Sequence, residues 1–143
     1  MWANRNKDLT WTIEFNAQKL VLPPFGYATL AADGKFIEYS GITGDNAHRA
    51  DYVKGDKYVY VDGRDQRSVF PEITCSMSYL LEKRNGNMTL TPTPFIKAET
   101  VEGLTQYLQA IPLDVEGKVN GNAIAIKDGK LAIDGKAFSY ILK

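Results

Sequence analysis

The chain has 143 residues, 44% hydrophobic and 24% charged, with 17 basic and 17 acidic side chains and a formal net charge of zero. That length suits one domain of ~100–200 residues with a core of its own. The balanced charge argues against nucleic acid or an anionic membrane as a partner, no run approaches the ~20 apolar residues of a spanning helix, and a single cysteine with a single histidine excludes an internal disulfide, a Cys-rich zinc site and a His-pair metal site.

Met1 to Arg5 lacks the apolar stretch of a signal peptide. A strand pattern begins almost at once, so residues 1–143 are expected to be a single β-sandwich domain excised from a longer protein. Leu9 to Phe15 alternates, with Leu9, Trp11, Ile13 and Phe15 on one face, which predicts a half-buried strand and a core Trp11. Asn16 to Gln18 reads as a turn. Lys19 to Leu22 is a second strand, ended by Pro23-Pro24 because proline cannot donate to a ladder. Phe25 to Ala31 and Phe36 to Ser40 flank Asp33-Gly34, a tight hairpin signal.

Gly41 to Asn46 is expected to be a loop, and His48 to Val53 and Lys57 to Val61 the next two strands. Asp62 to Asp65 turns again. Glu72 to Arg84 reads as one long strand with Ile73, Cys75, Met77, Tyr79 and Leu81 on its apolar face. Asn85-Gly86 marks a hairpin into Met88 to Thr91, and Pro92 and Pro94 are expected to break that run. Glu99 to Ala110 fits a short helix by the spacing of Val101, Leu104 and Leu108, but Gly103 opposes one by ~1 kcal/mol, so helix and strand both stay open. In the tail, Ile124 to Lys127 and Lys130 to Ile133 form a hairpin around Asp128-Gly129, and Asp134-Gly135 turns into Lys136 to Leu142. About a dozen short strands with turns every 8–12 residues predict an all-β antiparallel sandwich, with at most one short helix near 99–110.

No catalytic motif emerges. Asp45, Asp51, Asp56, Asp62 and Asp65 crowd one segment, but their spacing matches no metal loop, and aspartate is the expected turn residue. Cys75 falls on an apolar strand face, where free cysteine behaves as a small hydrophobe. No serine has the glycine frame of a nucleophile elbow. Gly41 to Asp45 precedes a strand pattern, so it lacks the helix start that holds a phosphate. Asn87-Met88-Thr89 is a glycosylation sequon, although the hairpin already accounts for Asn87.

The informative constellation is aromatic. In Lys57 to Asp62, Tyr58, Tyr60 and Asp62 share one face, and Val59 and Val61 point to the core. Two tyrosines ~7 Å apart on an exposed strand, with Arg64 beside them, suit stacking on sugar rings and hydrogen bonding to hydroxyls. Arg49 and Asp51 share a face of the preceding strand and are further candidates. Against this stands ordinary cross-strand packing of tyrosine, with Arg49 and Asp51 as a surface ion pair.

The segments Leu22-Pro23-Pro24-Phe25-Gly26-Tyr27, Phe36-Ile37-Glu38-Tyr39-Ser40, Arg49-Ala50-Asp51-Tyr52-Val53 and Tyr60-Val61-Asp62-Gly63-Arg64 resemble the C-terminal β-sandwich modules of large bacterial glycoside hydrolases, over roughly residues 9–70. The resemblance implies a non-catalytic accessory module, extracellular or periplasmic, which packs against a parent catalytic domain in cis or holds a polysaccharide or oligosaccharide near it. Expected ligand-binding residues are Tyr58, Tyr60, Asp62, Arg64, Arg49 and Asp51, with no catalytic residue, metal or cofactor. The alternative is a purely structural or protein-interaction sandwich with no ligand of its own, in which the tyrosines belong to the core or to an interface. An independent hydrolase using Asp/Glu pairs is the least favoured expectation.

Overall fold

The computed structural model describes residues 1–93 and 98–143, among which there are strands and no helix. The amino-terminal strands are β1 (Trp2–Ala3), β2 (Trp11–Phe15), β3 (Gln18–Leu22), β4 (Tyr27–Leu30), β5 (Ile37–Thr43), β6 (Ala50–Lys54), β7 (Tyr58–Asp62) and β8 (Ser68–Val69). They are followed by β9 (Thr74–Cys75), β10 (Ser78–Arg84), β11 (Asn87–Pro92), β12 (Glu99–Val101), β13 (Gln109–Leu113), β14 (Ile124–Ala125), β15 (Leu131–Ile133) and β16 (Ser139–Leu142). The fold is all-β and sandwich-like, as the turn spacing predicts.

One large antiparallel sheet runs in the order β1-β4-β5-β6-β7-β10-β11-β16-β13-β14. Its inner face is set by the alternation of apolar residues. Tyr39, Tyr52, Val61 and Tyr79 form one cross-strand row, and Val59, Leu81, Leu90 and Tyr140 form the next. All eight side chains are buried. At about 1.5–3 kcal/mol for each large apolar side chain removed from water, these rows dominate the stability of the sheet. The second layer is assembled from smaller pieces that share the same core: Phe15, Leu20 and Leu22 of the β2–β3 hairpin, Cys75 of the β8–β9 pair with its neighbour Ile73, and Val101, Leu131 and Ile133 of the β12–β15 pair.

The Asp-Gly-Lys triplets at 33–35, 128–130 and 134–136 are turns, with glycine φ of 71°, 71° and 75°. Several expectations are corrected. Trp11 is 42% exposed, not core. It lies opposite the fully buried Leu22, but among the described residues β2 pairs with β3 alone, so no further strand lies beside it. The expected loop at Gly41 begins three residues later, at Gly44. β5 continues to Thr43 and pairs there with β3, and Gly41 permits it: a Cβ at that position would stand 2.9 Å from the Leu20 side chain and from the Val21 carbonyl.

The long strand expected over 72–84 is two strands, interrupted at Ser76-Met77, whose amides turn to the Glu99 carboxylate at 2.8 and 3.2 Å. Glu99 to Ala110 contains no helix; it supplies β12 and the start of β13. The Asp128-Gly129 turn holds a Lys127–Lys130 bridge, but the flanking strands then part, β14 to β13 and β15 to β12. Pro92 ends β11 opposite Tyr79 and does not break it. Pro94 lies outside the described residues.

Candidate functional site

The outer face of β4–β7 and β10 gathers the predicted residues. Register places Tyr27, Ser40, Asp51, Asp62 and Ser78 in one cross-strand row, and Thr29, Glu38, Val53, Tyr60 and Leu80 in the next. Arg49 continues the parity of Asp51, and Tyr58 that of Tyr60. The five residues singled out by alternation therefore belong to one face, the two strands' parities having been matched by the Asp51–Asp62 register, and Arg64, in the turn after β7, joins them through its contact with Asp51.

Their surroundings divide them. Arg49 is spent on the fold: Nε donates to Ser40 Oγ at 2.8 Å, and the two terminal nitrogens donate to the Pro24 and Phe25 carbonyls at 3.3 and 3.2 Å. It pins the corner after Pro23-Pro24, where Phe25 has φ of 59°. The expected Arg49–Asp51 ion pair is replaced by one between Asp51 and Arg64. Arg64 Nε donates to Asp51 Oδ2 at 2.6 Å and its other arm to Oδ1 at 3.2 Å. Ser40 donates its hydroxyl to the same carboxylate.

Asp51 and Asp62 are directly opposite, an arrangement that repels unless a cation intervenes. Arg64 answers both: its guanidinium binds Asp51, and its backbone N–H donates to Asp62 Oδ1 at 2.8 Å. The Asp51 hydrogen bond holds the Arg64 pKa above its usual value. Gly63 makes the turn possible, since a Cβ there would stand 2.6–2.8 Å from the carbonyls of Ser76, Gln66 and Cys75. Arg64 and Asp65 then take φ of 54° and 61°.

Neither candidate tyrosine is buried. Tyr60 is half-buried between Val53 and Leu80, an aromatic ring within a partly exposed apolar strip. Tyr58 is 40% exposed. Its ring lies over the β6–β7 turn, where a Cβ on Gly55 would be 2.6 Å from Tyr58 Cε1. There it borders a cavity of about 480 Å³, whose floor includes Val59, Leu81 and Leu104.

Ser40, Tyr27 and Glu38 also belong to this face, with the Tyr27 hydroxyl donating to Glu38 at 3.0 Å. Burial, then that carboxylate, raises the Tyr27 pKa. They were missed because strand parity alone does not say which strands are neighbours. Elsewhere, Cys75 is buried, donates to the Met77 carbonyl, and has its thiol pKa pushed far up by burial. His48 Nε2 is 2.8 Å from Ser68 Oγ. Among the described residues, no three His, Cys, Asp or Glu side chains converge as a metal site. No protein-family model, curated protein or solved structure matches the chain.

Proposed function

We propose that the chain is a non-catalytic, carbohydrate-associated module that holds a polysaccharide or oligosaccharide against the outer face of its large sheet. The observation that carries this reading is Tyr60, a half-exposed ring set between Val53 and Leu80, with the Asp51–Arg64–Asp62 row one step along the strands. An aromatic ring with apolar neighbours offers contact to the C–H face of a sugar, and the charged row beside it offers donors and acceptors to hydroxyls. Arg49 contributes by positioning the corner at Pro24, and Asp51 by positioning Arg64. Direct contacts fall to Tyr60, Tyr58, Asp62 and the free edge of Arg64.

Affinity electrophoresis against a panel of soluble polysaccharides tests this. Retardation by one of them is expected, and a Tyr58→Ala, Tyr60→Ala variant that still folds should migrate freely. Retardation unchanged in that variant would remove the site from this face.

A second reading has an observation of its own. Arg49 and Asp51 are both used within the fold, and Val53, Tyr60 and Leu80 have the composition of a small protein interface. In that case the face packs against a parent catalytic domain in cis. Absence of retardation across the whole panel would favour it.

A further inference from the structure

We propose that the cavity beneath Tyr58 selects acidic glycans by binding a sugar carboxylate between Lys57 and Lys83. The inference rests on the glycan-binding reading above and deepens it: Lys57 and Lys83 have the parity of Val59 and Leu81, on the other side of the sheet from Tyr60, and Tyr58, in the cavity wall, is the residue the two surfaces share.

The cavity lies where the β6–β7 turn meets the 103–107 loop, and at about 480 Å³ it falls within the range of small-molecule sites. Two tyrosines, Tyr58 and Tyr107, line it, and Val59, Leu81, Met88 and Leu104 give it an apolar base. The polar groups at its mouth are unevenly matched. Glu72 is already occupied: Lys54 Nζ lies 3.0 Å from its Oε1, and the Tyr52 hydroxyl donates to it at 3.0–3.1 Å.

Lys57 and Lys83 have no such partner. The Glu82–Tyr58 register continues one step through the Lys83 N–H to Lys57 carbonyl bond of 3.0 Å, so the two lysines stand directly across β7 and β10 from one another. Both are exposed, and neither forms an ion pair among the described residues. Like charges in that position repel. Asp56 is the one remaining carboxylate of the lining. An anion placed between the two ammonium groups relieves the repulsion and gains charge-assisted hydrogen bonds, while the tyrosines contact its ring. A carboxylate-bearing sugar, a uronate, has that combination of apolar ring face and fixed negative charge.

The test uses the intact chain and three polymers: polygalacturonate, the same polymer after chemical reduction of its carboxyl groups, and polyglutamate. The expected result is binding of polygalacturonate about tenfold tighter than of the reduced polymer, the scale of one charge-assisted contact. A Lys57→Gln, Lys83→Gln variant should bind both polymers at the weaker affinity, with a thermal midpoint no lower than that of the intact chain, because both lysines are exposed and their mutual repulsion is removed. Equal affinity of the intact chain for the two sugar polymers overturns the inference and leaves the glycan reading standing. A preference that persists in the double variant removes it from this cavity. Polyglutamate bound as tightly as polygalacturonate reduces it to unspecific charge attraction and overturns it. Failure to bind either sugar polymer overturns the inference and leaves the glycan reading to the polysaccharide panel, where retardation by another polymer would keep it standing.

Discussion

Asp51 and Asp62 face one another across β6 and β7, and a single left-handed residue, Arg64, engages both. The ion pair is partly shielded, with side-chain exposures of 45% for Arg64 and 19% for Asp51. An exposed pair is worth about 0.2–1 kcal/mol, and opposed like charges add a penalty of similar size when the cation is gone. Arg64→Gln is therefore expected to lower stability by about 1 kcal/mol. Adding Asp51→Asn should recover part of that loss. Urea unfolding of the two single variants and the double variant closes the cycle, and strictly additive effects would show that the pair is not coupled.

Glu99 does more for the fold than an ordinary half-buried carboxylate. Its oxygens accept the Ser76 and Met77 amides, and the hydroxyl of the fully buried Tyr79 at 2.7 Å. Removing the acceptor leaves buried donors without partners, at about 1–3 kcal/mol each where water cannot reach them. Glu99→Ala is expected to destabilise by about 2–4 kcal/mol on that basis. Glu99→Gln, which keeps one acceptor oxygen, should cost less. Equal losses in denaturant melts of the two variants would contradict the capping role.

The fold class and the composition of the outer face were legible because both depend on local pattern. Alternation put Tyr58, Tyr60 and Asp62 on one side of a strand, and Asp-Gly pairs marked turns whatever lay beyond them. What stayed hidden depends on pairing between distant segments. Nothing near Arg49 in the chain shows that its guanidinium reaches back to Pro24 and Phe25, because that requires the β4–β5–β6 register. The break at Ser76-Met77 is caused by a carboxylate 22–23 residues away, on apolar alternation that is otherwise continuous. Trp11 has the pattern of a core residue, but among the described residues its strand has no neighbour beyond β3, which is a property of strand order. Lys57 and Lys83 likewise become opposed only once β7 and β10 pair.

Burial pushes the phenols of Tyr39, Tyr52 and Tyr79 well above the ordinary tyrosine pKa near 10, reinforced by Glu72 for the first two and by Glu99 for the third. A pKa raised in the folded state means that the fold favours the neutral form. The associated stability is complete below about pH 10 and is lost as pH rises above it, where the unfolded chain ionises and the folded one does not. Alkaline titration should therefore show tyrosinate absorbance from these rings rising together with the loss of β-sheet circular dichroism. Their ionisation in a chain that keeps its sheet signal would contradict the burial.

The β2–β3 hairpin turns through Asn16 and Ala17, with φ of 50° and 59°. The left-handed conformation costs a Cβ-bearing residue roughly 1–2 kcal/mol, and asparagine tolerates it better than alanine. Ala17→Gly is expected to stabilise the protein by about 0.5–1 kcal/mol, the relief being partly offset by the greater freedom glycine gives the unfolded chain. Thermal denaturation checks the sign, and a lower midpoint for the glycine variant would contradict a strained turn.

Glu102 joins three separate segments. It pairs with Arg67 at 3.1 Å and with Lys130 at 3.6 Å, and its backbone bridges to Thr74. The Arg67 hydrogen bond, helped by the charge of Lys130, lowers its carboxyl pKa from the usual glutamate value. With the folded pKa depressed, the contribution is present above the unfolded value of about 4.3 and is lost as pH falls through the lower folded value. Acid unfolding of the intact chain should therefore include a component that Glu102→Gln removes, so that the two proteins differ near neutral pH and converge in acid. Added salt should shrink the difference at neutral pH, since the pairs are open to solvent. A stability gap that stays constant from neutral to acid pH would show that Glu102 acts through its backbone bridge and not through its charge.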